Sequence, residues 1–445
     1  MLDIISSSFV KPVNPFQLCH AKSLGGREAE IRQITSIISK RQHRNVLILG
    51  EFGIGKSSII SQIILALTFK NNSENKMSNY SFWELNVPSV IAQSKETVHT
   101  FFYELGSVLC KNRQTILIIN NIENLVRCNY NIQAELIKLF DNPYICVLAT
   151  VDALETELSY KTLYDRFFTI NLSEPSAQET HEMILQQVSD IENFHGITIS
   201  KEMTQWLVYC SEFTSSISQP KRSIDLIDMI MAHAKLMGHS IVTKEDFFDF
   251  FALDVQRFYH LSSEQKRYTA IHELGHFMVH LVVESSLGLS PCLVSIIPKE
   301  TLEGFTSLET IKNHTPTYDK QYYIQNIGSS LAGKIAEEIF DVPVNAGSTL
   351  DLEEANDLAE EFASKVGMNP KLNDRVFDEN LHELDEESLN SINEGVDSIL
   401  EEARNYAKSI ILKNKNIIEA ILPHLTECGI LIRPEIDEII HHIDN

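Results

Sequence analysis

The sequence lacks a long apolar run, a paired-cysteine pattern and an excess of basic residues. No stretch approaches the roughly 18 apolar residues of a membrane span. The N-terminus shows no basic region followed by an apolar segment. The seven cysteines are scattered without a C-x-x-C pair, which favours reduced thiols. We therefore expect a soluble, cytoplasmic protein with no membrane span.

The charge balance excludes another class of function. The chain has 61 acidic and 37 basic residues, a formal charge of −24. Because nucleic-acid binding depends on positive charge, a nucleic-acid partner is not expected. Much of the acid falls between Asp351 and Glu402, which is typical of solvated helix faces. The length of 445 residues predicts two or three domains.

A glycine-rich segment, GEFGIGKS at 50–57, fits the phosphate-binding pattern G-x-x-x-x-G-K-[ST]. An apolar strand precedes it and an apolar-periodic helix follows it. The glycines let backbone N–H groups surround phosphate oxygens, the lysine reaches the outer phosphates, and the serine hydroxyl can bind Mg²⁺. The segment thus predicts binding of ATP with Mg²⁺. The expected contacts are Gly50, Gly53, Gly55, Lys56 and Ser57.

A second apolar strand, ILII at 116–119, leads into Asn120 and Asn121. Hydrolysis at such a site uses an acid to hold Mg²⁺ and another to polarise the attacking water. An amide can orient water, but it cannot take a proton or offset cationic charge. We therefore predict nucleotide binding with weak or absent hydrolysis. Glu123 is an alternative source of a carboxylate, because strand alternation turns it toward the side of Asn121.

Six segments of the first half resemble, in order, the AAA+ module of the Clp chaperones, over about residues 24–240. They are SLGGREAEIRQI, GEFGIGKSSII, ILIINNIENLV, LATVDALE, LYDRFFTINLSEPSAQET and QPKRSIDLIDM. The resemblance places Asn120 and Asn121 on the Asp-Glu position, so that this motif is degenerate. It also implies that Thr150 is the sensor-1 residue and that Arg166 is the arginine finger, which reaches the nucleotide of a neighbouring subunit.

The same resemblance bears on the lid and on the central pore. It implies a lid cation at Lys221 or Arg222. A finger that acts on a neighbour needs a head-to-tail interface, which predicts a homo-oligomeric ring such as a hexamer. The segment at the pore-loop position, SVIAQSKETVHTF at 89–101, has no aromatic residue beside a glycine. Threading of substrate is therefore not expected.

The second half contains H-E-x-x-H within TAIHELGHFMV. On a helix, His272 and His276 share one face about 6 Å apart along the axis, so both can bind one zinc ion. Glu273 is then the general base that acts on water. A third ligand must come from elsewhere. His280 lies about 12 Å along the axis from His272, too far to share the ion.

Five segments of the second half, in order, resemble the FtsH-type zinc peptidase, over about residues 255–440. They are TAIHELGHFMV, VSIIPKETLEGFT, SSLAGKIAEEIF, NAGSTLDLEEANDLAEEFASKVGM and EEARNYAKSIILKNKNIIEAI. The resemblance implies that Asp351, in GSTLD, is the third zinc ligand. It also suggests that CLVSIIP at 292–298 is an edge strand that can bind an extended substrate backbone.

These observations predict an α/β AAA+ domain with a helical lid, followed by a mostly helical zinc-peptidase domain. The expected parts are an N-terminal arm (1–23), the α/β domain (24–172), the lid (173–254) and the peptidase (255–445). The favoured function is a zinc endopeptidase acting on unfolded or presented protein, with ATP serving ring assembly. An ATP-driven protease and a non-catalytic ring scaffold are the alternatives.

Overall fold

The computed structural model describes most of the chain, and it forms two compact units. The first unit comprises residues 1–197 with 214–229, and the second comprises 198–213 with 230–445. This division runs through the lid expected at 173–254. The described residues are 9–18, 25–69, 80–111, 114–128, 130–152, 161–211, 217–298, 302–312, 314–343, 347–372, 375–377 and 385–444. Most of the expected arm and the end of LATVDALE lie outside them.

The first unit is built on a six-stranded sheet. Its strands are β1 (Val10–Val13), β2 (Val46–Leu49), β3 (Ser81–Leu85), β4 (Thr115–Ile119), β5 (Cys146–Val151) and β6 (Phe168–Asn171). The order is β1-β3-β4-β5-β2-β6. All neighbouring pairs are parallel except β1 with β3. The segment expected as an arm thus supplies one edge strand.

Helices cover both faces of this sheet. They are α1 (Glu28–Ile38), α2 (Lys56–Thr68), α3 (Val87–Ile91), α4 (Lys95–Lys111), α5 (Ile122–Cys128), α6 (Tyr130–Phe140) and α7 (Lys161–Tyr164). Two further helices, α8 (Ala177–Leu185) and α9 (Val188–His195), follow β6. Successive strand residues point to opposite faces. Accordingly, Val46 and Ile48 pack in the core with α1 and α2, and Leu47 packs in the core with α4, α5 and α6. Apolar residues on both faces explain the uninterrupted hydrophobic strands.

The remaining elements are mostly helical. They are α10 (Lys201–Cys210), α11 (Lys221–Leu236), α12 (Lys244–Phe250), α13 (Ala252–His260), α14 (Ser263–Leu287), α15 (Lys320–Ile339), α16 (Thr349–Glu360), α17 (Glu386–Lys413), α18 (Lys415–Cys428) and α19 (Arg433–Asp444). A small sheet joins β7 (Leu289–Ser295), β8 (Phe305–Thr310) and β9 (Ile430–Ile432). The parallel α/β sheet followed by a mostly helical region confirms the predicted fold class.

The helix α14 carries the H-E-x-x-H motif, and local sequence sets both of its ends. Ser262 and Gln265 form a capping box at its start. Gly288 ends it in the left-handed conformation at φ 71°, which glycine adopts without steric cost. Among the described residues, no helix is both long and apolar enough to cross a membrane.

A glycine permits the close approach of α14 to α15. A Cβ atom at Gly275 would lie 2.6 Å from the Ala332 carbonyl oxygen and 2.7 Å from the Ala336 Cβ. Such distances are too short for any side chain, and both neighbours are themselves small. The two helices can therefore pack this tightly only with glycine at 275.

We expect Gly275→Ala to destabilise the second unit by about 1–3 kcal/mol, because the added methyl group forces two packed helices apart. Denaturant unfolding followed by circular dichroism measures this change. Gly106→Ala is the matched control. That glycine lies in α4, where a Cβ would make ordinary 3.5 Å contact with Leu139, and helix propensity there favours alanine. Equal stability of the two variants would contradict the packing argument.

Candidate metal centre and nucleotide pocket

The two histidines of the motif lie one turn apart on the same face of α14. The Nε2 atoms of His272 and His276 are 3.2 Å apart. Both side chains are 12% exposed, so they open to a restricted space. The helical spacing alone accounts for this pairing, as the sequence predicts.

Asp351, in the first turn of α16, joins the two histidines. Its Oδ2 lies 3.1 Å from His272 Nε2 and 3.4 Å from His276 Nε2. In a tetrahedral zinc site with Zn–N near 2.0–2.1 Å, neighbouring ligand atoms are about 3.4 Å apart. The three separations fit that geometry. Within the described part of the chain, these residues form the one cluster of three or more His, Cys, Asp or Glu side chains that could hold a metal ion.

The other ring nitrogens fix the tautomers of both histidines. His272 Nδ1 lies 3.0 Å from Glu337 Oε1, and His276 Nδ1 lies 2.8 Å from the Ser329 carbonyl oxygen. Because both partners accept hydrogen bonds, each Nδ1 donates, and each Nε2 is left with a lone pair. Three lone-pair atoms then converge on one point, which requires a cation between them.

The protonation behaviour reflects the same demand for positive charge. Burial lowers the pKa of His272, but its hydrogen bonds to Asp351 and Glu337 outweigh burial and raise that pKa to about 10. Burial raises the pKa of Asp351, but the two histidines hold it well below its usual range. A proton on His272 therefore satisfies the cluster where zinc would otherwise do so.

A second glycine makes room for the histidines. A Cβ atom at Gly333, on α15, would lie 2.5 Å from both His272 Cε1 and His276 Nε2. The imidazole rings therefore pack directly on the α15 backbone. Glu337 lies one turn further along the same helix, so α15 supplies both the space for the rings and the acceptor for His272.

Glu273 is buried beside the cluster, with 6% exposure. The Thr306 hydroxyl lies 3.0 Å from both the carbonyl oxygen and Oε2 of Glu273, so it restrains that side chain. Burial raises the pKa of Glu273, while the neighbouring histidines and Thr306 lower it. The net upward shift makes the carboxylate a better proton acceptor than an exposed glutamate.

The prediction that the segment 292–298 forms an edge strand is wrong. The first four residues of the segment 292–298 lie in β7 (Leu289–Ser295), and β7 is the central strand of the order β8-β7-β9. The edge strands are β8 and β9, and β8 carries Thr306. The reason is non-local: β9 comes from the C-terminal end of the chain and covers the other side of β7 with antiparallel pairing.

His280 lies outside the metal cluster, as the helical spacing predicts. It is largely buried, and burial together with the nearby His276 lowers its pKa to about 4. A neutral, packed histidine explains these properties. The sequence motifs do not point to Glu337, Ser329 or Thr306. The one sequence feature that could indicate Glu337 is weak: it is an acidic residue four positions after Gly333, within an apolar helix face.

The glycine-rich segment borders a cavity of about 480 Å³ in the first unit. Gly53 and Gly55 have φ of 95° and 98°, a conformation that favours glycine. Gly50 follows β2 directly, and Lys56 and Ser57 begin α2. The cavity is lined by Glu51, Phe52, Gly53, Gly55, Lys56, Ser57, Ser58, Asn121, Glu123, Asp152, Gln187, Pro220, Lys221, Ile224 and Asp225. This arrangement presents backbone N–H groups to an anion.

Lys56 is held by the loop that it follows. Its Nζ donates to the Gly50 carbonyl oxygen and, at 2.9 Å, to that of Glu51. Burial lowers its pKa, and the nearby Asp152, Glu123 and Glu51 oppose that shift. An anionic phosphate would compete with those two carbonyl oxygens for the ammonium group.

The two asparagines end β4 in different environments. The Asn120 amide nitrogen donates to Glu84 Oε1 at 2.9 Å. Asn121 has a φ of 52°, and its backbone N–H donates to Thr150 Oγ1 at 2.9 Å. Thr150 therefore lies beside the end of β4, where a sensor-1 residue is expected. Asn121 lines the cavity.

Glu123, which the sequence offers as an alternative source of a carboxylate, lines the cavity. It is 6% exposed, and its Oε2 has no hydrogen-bond partner among the described residues. Burial raises its pKa, while backbone N–H groups and Lys56 lower it. A buried carboxylate with a free oxygen thus faces the phosphate-binding loop.

Lys221 and Arg222, the two candidates for the lid cation, differ in their positions and in their ion-pair partners. Lys221 lines the cavity and pairs with Asp225 at 2.8 Å, whereas Arg222 lies 3.6 Å from Glu174. Lys221 therefore fits the lid position better.

The arginine-finger candidate, Arg166, pairs with Asp141 at 2.6 Å, so a finger role would need that ion pair to open. The segment at the pore-loop position forms the end of α3, a short turn and the start of α4.

Comparisons with known proteins agree with both halves of the chain. Residues 259–439 match the model of peptidase family M41, and residues 176–268 match an AAA lid domain. The chain therefore carries an FtsH-type peptidase domain after an AAA+ module. The fold resembles a closed-state cryo-EM reconstruction of Hsp104 with ATPγS and FITC casein, with a TM-score of 0.50 at 18% identity, covering 64% of this chain and 50% of that one.

Two curated relatives illustrate the composite character. An ATP-dependent zinc metalloprotease FtsH from Protochlamydia amoebophila (strain UWE25) is 33% identical over 193 residues, covering 40% of this chain and 21% of the relative. An ATP-dependent Clp protease ATP-binding subunit ClpE from Bacillus subtilis (strain 168) is 25% identical over 224 residues, covering 48% and 32%. The chain thus spans between about a fifth and a third of these relatives' lengths.

We expect zinc affinity of the chelator-treated protein to rise between pH 6 and 9, by up to about tenfold per pH unit. His272 must lose its proton to bind metal, and its pKa of about 10 keeps it protonated throughout that window. Isothermal titration calorimetry in buffers of different ionisation enthalpy counts the released protons. Glu337→Gln is the control, since loss of one supporting carboxylate reduces proton release at neutral pH. An affinity independent of pH would contradict the argument.

Proposed function

We propose that the protein is a zinc endopeptidase that cleaves unfolded or presented protein segments. The observation that carries this proposal is the convergence of His272, His276 and Asp351 at ligand spacing, with Glu273 buried beside them. A non-catalytic scaffold would not need a general base next to that cluster. The match to peptidase family M41 over the same residues supports the assignment.

The two histidines and Asp351 would hold zinc, which supplies Lewis-acid polarisation of the scissile carbonyl group when bound. Glu273 takes a proton from the attacking water and returns it to the leaving amine. Thr306 keeps the Glu273 carboxylate in place. The edge strand β8 can pair with a substrate backbone in extended form, so that recognition depends on main-chain hydrogen bonds in an unfolded segment.

We expect Glu273→Gln to abolish cleavage of a fluorescently labelled unfolded protein while zinc remains bound, because Glu273 moves protons and does not bind the metal. Asp351→Ala should lose zinc and cleavage together. Elemental analysis and the cleavage assay are performed on the same samples. His280→Asn, on the same helix, should retain zinc. Normal cleavage by Glu273→Gln would refute the proposed chemistry.

For the AAA+ half, the proposal is that ATP with Mg²⁺ binds mainly as a structural ligand of a homo-oligomeric ring. Gly53, Gly55, Lys56 and Ser57 surround a cavity suited to phosphates. Asn120 and Asn121 replace the two acids that support fast hydrolysis. Turnover should therefore be slow, below the roughly 1 s⁻¹ at the low end of ordinary enzymes.

Lys56→Ala should weaken ATP binding by at least about tenfold and shift the protein to smaller species, because the loop loses its one phosphate-reaching cation. Fluorescent-nucleotide titration and light scattering with ATP present measure the two effects. Lys111→Ala, an exposed lysine at the end of α4, is the charge-matched control. An unchanged assembly in the Lys56 variant would exclude a structural role for ATP.

A further inference from the structure

The buried carboxylate of Glu123 lies where the nucleotide pocket needs an acid. Glu123 occupies the first turn of α5, two residues after Asn121, and lines the cavity together with Lys56 and Ser57. It is more than nine-tenths buried. Its Oε2 has no hydrogen-bond partner among the described residues. Burying such a group without a partner is costly, which suggests that a ligand of the pocket supplies the partner.

The backbone explains why the acid is not at position 121. Asn121 has a φ of 52°, a left-handed conformation in which asparagine is common and longer side chains are disfavoured. Its N–H is also committed to Thr150. The chain leaves β4 through this left-handed residue and enters α5 at once, so that the next side chains come from the first helical turn.

The other carboxylates of the lining are less suited to the role. The Glu51 carboxylate accepts from the Ser218 hydroxyl at 2.5 Å, and Asp225 pairs with Lys221 at 2.8 Å. Both are exposed, and Asp152 is only partly buried. The backbone N–H groups of Glu123 itself and of Asp152 donate to the Glu123 carboxylate. Glu123 is therefore held in place with one oxygen available.

We infer that Glu123 is the general base for ATP hydrolysis in this pocket, supplying from α5 the carboxylate that Asn121 lacks. The inference rests on the nucleotide binding proposed above and specifies how the slow turnover proceeds. Water attacks the γ-phosphorus of Mg²⁺-bound ATP, and the bond from that phosphorus to the β–γ bridging oxygen breaks. Glu123 accepts a proton of the attacking water and passes it to the released phosphate. The products are ADP and inorganic phosphate.

The test measures phosphate release from Mg²⁺-ATP by the full chain, over hours, with Lys56→Ala as the background. We expect Glu123→Gln to lower turnover by about 100-fold or to the background, the range of a lost general base. Affinity for a fluorescent ATP analogue should change less than about threefold. Glu123→Asp, which keeps the charge, should show intermediate turnover. Glu104→Gln, on α4 outside the pocket lining, should behave as the unmodified protein.

A pH–rate profile separates a proton-transfer role from a merely structural one. A general base must be ionised to act, so turnover of the unmodified protein should fall at acidic pH. The residual turnover of Glu123→Gln should not show this fall. Unaltered turnover in Glu123→Gln would overturn the inference. Turnover of the unmodified protein no greater than that of Lys56→Ala would also overturn it.

The binding data distinguish this inference from the function on which it rests. If the fluorescent ATP analogue binds equally well to Lys56→Ala and to the unmodified protein, the proposed nucleotide site fails. If binding depends on Lys56 but turnover does not depend on Glu123, only the role of Glu123 fails. Retained nucleotide binding by Glu123→Gln also shows that this variant is folded.

Discussion

The peptidase half depends on three lone pairs that face one another across 3.1–3.4 Å. Such an arrangement is repulsive unless a cation lies between the atoms, and a proton or a metal ion can fill that role. The packing of α14, α15 and α16 holds the three lone-pair atoms in this arrangement. Glu337 and Ser329 orient the two imidazoles, and Gly333 lets them lie against the α15 backbone. The tight packing at Gly275 is therefore part of the site, because it sets the separation of α14 and α15.

In the AAA+ half, backbone conformation decides which side chains reach the cavity. The phosphate-binding loop keeps its glycine conformations and its lysine, whereas the strand end carries amides. A left-handed residue at the end of β4 turns the chain early into α5, and this turn brings Glu123 into the pocket lining. Although amides follow β4, the cavity lining therefore still includes a buried carboxylate. The chemistry is set by which side chains reach the cavity.

Sequence patterns predicted what local spacing controls. The i, i+4 histidines, the distance that excludes His280, and the glycine-rich loop all follow from helix and turn geometry. Sequence patterns could not predict the central position of β7, because its second partner, β9, comes from the far end of the chain. The same holds for Glu337 and Thr306, which meet the motif through tertiary packing. The sequence offers Glu123 only as an alternative, since its burial depends on the turn at Asn121.

X-ray absorption at the zinc edge shows directly whether His272, His276 and Asp351 bind zinc. We expect about one zinc per chain, with two imidazole nitrogens and carboxylate oxygen at about 2.0–2.2 Å and no sulfur ligand. In Asp351→Ala the zinc signal should be lost. A shell of sulfur neighbours at about 2.3 Å, or a purified and active peptidase without bound metal, would contradict zinc binding by these three residues.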